Sequence, residues 1–186
     1  MTLRQGSGQG EWVDEVLGFW FGLAPEQWWK EDPALDEQIR DRFGKLHDEK
    51  RQLPAESFLN DARTALAAVV LFDQFPRNMF RGLAEQFATD PLALAVAWQA
   101  VQRALDEQLS KPERGVLYMP FQHSEDVDDQ RQSLLLFTAL GDDDLLRYAR
   151  KHHDIIAKFG RFPHRNAVLG RQPREAEIKA GDVVPW

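Results

Sequence analysis

Leu71-Phe72-Asp73-Gln74-Phe75-Pro76-Arg77-Asn78-Met79-Phe80-Arg81-Gly82 sets the frame for the whole chain, because a similar string returns as Phe159-Gly160-Arg161-Phe162-Pro163-His164-Arg165-Asn166-Ala167-Val168-Leu169-Gly170-Arg171. Both strings put Phe-Pro after an apolar helical pattern and follow it with basic residues, an Asn and a Gly. Proline disfavours helical backbone in the residue before it, and Asn and Gly supply turns, so each string is expected to mark a helix exit. Arginines would then stand on a rigid corner where a helix stops. Such a corner suits an anion.

Helical periodicity runs outward from these strings in both directions. Trp12, Val13, Val16, Leu17 and Trp20 recur at three-to-four spacing within Glu11 to Phe21. Asp32-Pro33 reads as an N-cap with proline at the first helical position, ahead of the stripe Leu35, Ile39, Phe43 and Leu46. Asn60-Asp61 restarts a helix that is apolar on more than one face through Phe72, and so should be the most buried. Asp90-Pro91 repeats the cap-plus-proline signal, and Leu94, Trp98, Val101, Leu105 and Leu109 predict one helix to Leu109. Ser110-Lys111-Pro112-Glu113 fits a capping box for a short turn ending before Met119-Pro120. Ser124-Glu125-Asp126 opens the next helix, which Gly141 should stop; Asp142 to Asp144 begin another, ended by Gly160. A short helix is expected after Pro173. No segment alternates with a period of two, so the fold class is all-α. Seven or eight helices with short links pack most simply as antiparallel hairpins, bundled or stacked.

A length of 186 residues suits a single domain, expected over residues 11–186, behind a polar, Gly-rich N-terminal segment 1–10 that should be flexible. There are no cysteines, which excludes disulfides, thiolate metal sites and a Cys nucleophile. No apolar run reaches the ~18 residues of a membrane span, and a cytoplasmic location is expected. The formal charge of -7 argues against a general nucleic-acid binder. That charge is uneven: Leu145 to Arg174 holds eight Lys or Arg against the single acid Asp154, leaving -14 for the rest. The basic segment either packs on acidic neighbours in the same molecule or meets an acidic ligand.

Four groups could carry chemistry. Asp73, Arg77, Asn78 and Arg81 could present a guanidinium fork to a carboxylate or phosphate, with Asp73 orienting it, or could simply cap a helix end. Tyr118 to Glu125 sets His123 two residues before Glu125; these two are the candidates for acid–base roles, and Ser124 reads as a cap. In His152-His153-Asp154 the two rings point about 100° apart, so His152, on the apolar stripe, reads as a core residue and His153 as the ligand-facing one. Arg161, His164, Arg165 and Asn166, with Arg171, form a loop that should wrap either acidic helices of the same fold or a small anion. No zinc spacing occurs, although His123, Glu125, His153 and Asp154 could in principle meet across helices, and no Gly-rich phosphate loop is present. Whether a cofactor is used is left open by the residues. Among the aromatics, the Trp28-Trp29 pair stands out, since neighbours on a helix cannot both face inward easily.

Taken together, Gly18-Phe19-Trp20-Phe21-Gly22, Trp28-Trp29, Leu71 to Gly82, Tyr118 to Glu125 and His152 to Arg171 resemble the bacterial family called domain of unknown function 924. The match covers nearly the whole chain in order; only the region from Arg51 to Asn60 departs from the pattern. The resemblance implies an all-helical, tetratricopeptide-like superhelical fold and no established activity. Two classes of function follow from the residues: a small-anion site, catalytic in a hydrolase or transferase sense, or a protein- or peptide-binding helical surface without catalysis.

Overall fold

The computed structural model describes residues 8–28 and 30–185, so the expectations for residues 1–7 and for Trp29 lie outside the described residues. Within them the chain is all-helical. The helices are α1 (Gly8–Phe21), α2 (Pro33–Lys50), α3 (Ala62–Val69), α4 (Phe75–Met79), α5 (Asp90–Gln102), α6 (Lys111–His123), α7 (Val127–Leu140), α8 (Asp143–Phe159) and α9 (Glu175–Ala180).

Side-chain capping fixes most of the starts. Asp32 accepts from the amides of Ala34 and Leu35, Asp61 from Thr64, Asp126 from Asp128 and Asp129, and Asp142 from Leu145. Two stops use glycine in the left-handed region, Gly141 at φ 67° and Gly160 at φ 68°.

Three expectations about helix ends fail, each for a physical reason. Phe75 does not end a helix. The chain passes from α3 through one π-turn, Val70–Gln74, straight into α4, so residues 62–79 form one continuous run and the described helices number eight. Pro76 has no N–H for the carbonyl four residues back and its ring would strike it, and a wider turn relieves the clash. Similarly, α6 runs through Pro120 to His123 instead of stopping before it. Finally, α5 stops at Gln102, short of Leu105 and Leu109. Ala104 takes φ 54°, the Leu105 amide donates to Ala100 and that of Ala104 to Val101, a Schellman closure with alanine where glycine is usual.

Helix α3 and the π-turn are the centre of the core: every residue from Ala65 to Asp73 is fully buried. Around them pack α1, α5 and α6, while α2 lies against α4, and α6, α7 and α8 neighbour one another in order. A second, smaller apolar cluster of Ile155, Ile156, Phe159 and Phe162 fastens the C-terminal segment onto the end of α8. Trp28 stacks on Trp20 with ring centroids 5.8 Å apart and donates from Nε1 to the Trp20 carbonyl at 3.0 Å, so it closes the α1 end of the core.

Candidate functional site

The π-turn matters because of what it does to Asp73. This carboxylate is fully buried on the core side of the widened turn, where a helix interior would normally carry an apolar side chain. His123, on the last turn of α6, brings Nδ1 to 2.9 and 3.0 Å from its two oxygens. Gln74 Nε2 donates to it as well, and an Arg77 nitrogen lies 3.3 Å away. Burial alone would lift the Asp73 carboxyl, but the Arg77 charge and the contacts with His123 and Gln74 outweigh it and hold it down at about 2.

Arg77 sends its fork to a second carboxylate, Asp90, through bonds of 3.1 and 3.2 Å, and donates to the Asp73 carbonyl. Asp90 therefore does not cap α5, as its place before Pro91 suggested. Thr89 stands at the cap position and Asp90, in the first turn, is drawn to the arginines. Burial and the neighbouring Asp73 raise the Asp90 carboxyl, against the pull of Arg77 and Arg165.

Arg165 arrives from the C-terminal loop. It lies 3.6 Å from Asp90, donates to the His123 carbonyl at 3.0 Å, and sets its guanidinium over the rings of Phe87 and Phe162 at 4.3 and 4.7 Å. Its Nε is buried with no hydrogen-bond partner. Burial and the Arg77 charge depress Arg165 to about 10, which still leaves it cationic at neutral pH.

Three imidazoles complete the cluster. The His152 ring lies 6.0 Å from that of His123 and 5.6 Å from Phe162, and Phe162 lies 5.5 Å from His164. His152 Nδ1 donates to the Tyr148 carbonyl at 2.8 Å, in keeping with a core histidine. Burial pushes His152 down to about 3 and His164 to about 4, and it lowers His123 too despite Asp73. With Nδ1 facing a carboxylate, neutral His123 carries its proton there and leaves Nε2 as a lone pair.

The two Phe-Pro strings therefore do converge, through Arg77 and Arg165. Arg161 goes elsewhere. It donates to Glu177 from Nε at 2.6 Å and from a terminal nitrogen at 2.8 Å, and Asn166 donates to the same carboxylate at 2.9 Å. Arg81 and Asn78 both turn to Asp36 on α2, at 2.6 to 2.9 Å. Glu125, expected beside His123, has both oxygens on the C-terminal loop. It accepts two bonds from Arg171 at 2.6 and 3.0 Å and one from the Phe162 amide at 2.7 Å. His153 pairs with its neighbour Asp154 at 3.2 Å. Among the described residues no group of three or more His, Asp or Glu is arranged to hold a metal ion.

Asp90 is the residue that sequence reasoning missed at this site, because the Asp-Pro dipeptide already had a complete local explanation. Phe87 was missed as well, lying in a short turn with no motif around it.

The description "Bacterial protein of unknown function (DUF924)" belongs to a family model that matches residues 16–180. None of the curated proteins matches the chain in sequence. A solved structure of the protein of unknown function ATU0120 from Agrobacterium tumefaciens is similar, with a TM-score of 0.85 and 37% identity over 92% of this chain and 97% of that one. With 165 consecutive positions matched and the same helical architecture in that relative, the chain belongs to the DUF924 family.

Proposed function

We propose that this protein binds a small anionic molecule, a carboxylate or phosphate, beside His123 and moves a proton on it as part of a hydrolysis or transfer. The observation that carries this reading is the buried Asp73–His123 contact at 2.9 Å on an imidazole held neutral. Asp73 fixes the tautomer and would stabilise the imidazolium as it forms. His123 Nε2 would take a proton from an attacking water or hydroxyl and return it to the leaving group. Arg165 would supply the anion contact, since its buried Nε is a donor with no acceptor. Arg77 holds the two carboxylates apart, and Glu125 ties the loop that carries Arg165 to the end of α6.

Charge balance adds a condition. Asp73 and Asp90 cancel Arg77 and Arg165, and Glu125 cancels Arg171, so the negative charge that builds on a bound anion is offset as His123 takes up the proton of the attacking water or hydroxyl.

One observation favours a second reading, a tetratricopeptide-like helical module that grips a protein or peptide without catalysis. Arg77, Arg81, Arg161 and Arg171 each already hold an internal carboxylate. Titration of the full chain with inorganic phosphate and with acetate separates the two. Saturable shifts of the His123 ring nitrogens and of Arg165 Nε are expected, the Arg165 shift being lost in His123→Gln, together with slow cleavage of p-nitrophenyl phosphate or p-nitrophenyl acetate that the same variant abolishes. Histidine resonances indifferent to both anions would leave only the module.

A further inference from the structure

Pro76 leaves the Phe72 carbonyl without the amide donor that a regular helix would bring to it. That carbonyl is fully buried, and an unpartnered buried acceptor is costly. The Thr89 hydroxyl fills the gap. Thr89 is 5% exposed and donates from Oγ1 to the Phe72 carbonyl at 2.7 Å. On its acceptor side stands His47 of α2, with Nε2 at 3.4 Å and its ring packed against Phe72 and Phe80. Burial, then the Arg51 charge, lowers His47, so its ring is neutral here, and with the Thr89 proton given to the Phe72 carbonyl the ring meets the hydroxyl as its donor. The hydroxyl thus has one donor and one acceptor, which fixes the direction of its proton.

The sequence positions make this bond more than local. Phe72 directly precedes Asp73, and Thr89 directly precedes Asp90. One hydroxyl therefore pins the π-turn that carries the carboxylate of His123 to the backbone that carries the carboxylate of Arg77 and Arg165. Asp73 faces His123 across two near-equal contacts of 2.9 and 3.0 Å, an arrangement sensitive to a small rotation of the turn.

We infer that Thr89 is a positioning residue for the Asp73–His123 pair, acting through the Phe72 carbonyl. The inference rests on His123 being the proton-transferring group, but its signature is the imidazole tautomer, which is read without any ligand or substrate.

The experiment is nitrogen-15 NMR of the histidine rings in the wild type, Thr89→Ser and Thr89→Val, at a pH where His123 is neutral. Wild type is expected to hold His123 as a single tautomer protonated at Nδ1. In Thr89→Val the ratio of tautomers should fall roughly tenfold, the size set by one lost buried hydrogen bond. Thr89→Ser, which keeps the hydroxyl, should restore it. Val13→Ala in α1, destabilised by a cavity far from the site, should leave the tautomer untouched. A folded Thr89→Val with the wild-type tautomer overturns the inference, and so does a serine variant that loses it. If valine prevents folding, Thr89→Ala removes the same hydroxyl without bulk and is judged by the same criterion. An intact tautomer effect with no response to phosphate or acetate would sink the ligand reading while leaving the positioning role standing.

Discussion

Replacing Asp90 with asparagine removes one charge and almost no volume. In the native site the Asp90 carboxylate takes two bonds from Arg77, at 3.1 and 3.2 Å, and approaches Arg165 at 3.6 Å. Without it, the quartet of Asp73, Asp90, Arg77 and Arg165 goes from neutral to +1, and Arg77 faces an amide that cannot accept at both atoms. Breaking one side of a buried pair costs about 3 to 5 kcal/mol. The Asp90 side chain retains 18% exposure and that of Arg77 23%, so solvent screens part of this and the low end, about 3 kcal/mol, is expected. With a urea m-value near ~2 kcal/mol/M, Asp90→Asn should lower the unfolding midpoint by about 1.5 M. The thermal midpoint should drop by roughly 6 to 12 °C. Asp144→Asn is the control. Asp144 pairs with Arg147 at 2.9 Å and also lies in the first turn of its helix, but the two side chains are 82% and 56% exposed, so solvent screens the pair and its loss should cost far less. Because Asp90 also lies in the first turn of α5, part of its effect could come from the helix dipole, worth ~0.5 kcal/mol there. A double-mutant cycle with Arg77→Met isolates the pair, and a coupling energy above ~1 kcal/mol is expected. A loss no larger than that of Asp144→Asn, or zero coupling, would refute the idea that this carboxylate holds the arginines.

Two further changes test the same physics at other places. Burial, with His123 and the Arg165 charge nearby, pushes His152 down to about 3 in the folded chain, far below its unfolded value near ~6.5. The unfolded chain therefore takes up this proton first, so the share of stability that His152 controls should be level above about pH 6.5 and fall by about 1.4 kcal/mol per pH unit below it, until near pH 3, on top of falls of the same sign from His47, His123 and His164. Asp73, whose lowered carboxyl loses its contribution only as pH falls toward about 2, does not disturb the upper part of that window. Urea midpoints taken between about pH 7 and pH 5 should show the slope in wild type and a shallower one in His152→Gln; equal slopes would count against the buried neutral imidazole. At the end of α5, Ala104 sits at φ 54°, where a Cβ is strained by about 1 kcal/mol. Ala104→Gly should raise stability by roughly 0.5 kcal/mol after the entropy of the added glycine is charged against it, measured as an upward shift of the urea midpoint.

How much of this was legible beforehand depends on the range of the interaction involved. Caps are decided within four residues, so Asp32, Asp61, Asp126 and Asp142 could be read as helix starts, and Gly141 and Gly160 as stops. The end of α5 could not, since no glycine or proline follows Gln102 and the apolar spacing carries on to Leu109. The closure there depends on Leu105 folding back, which only the tertiary surroundings select. The basic surplus of the last third of the chain left two alternatives, and the structure bears on the first. Arg161, Arg165 and Arg171 meet acids of the same fold, Glu177, Asp90 and Glu125, and Arg165 keeps one nitrogen without a hydrogen-bond partner.

Local rules break down mainly where the site is built. Pro76 lies inside a helical run and forces the π-turn; Asp90 abandons the cap it was placed to make; Pro120 sits within α6, three residues before His123. The first two have partners distant in sequence, Thr89 for the Phe72 carbonyl and Arg77 and Arg165 for Asp90, and the helix carried past Pro120 brings His123 to Asp73. A chain selected for stability alone would lose nothing by replacing such a network with apolar side chains of similar volume, which are commonly as stable or more so. That local consistency gives way, the Ala104 closure apart, around one imidazole is the pattern expected where function and not packing set the sequence.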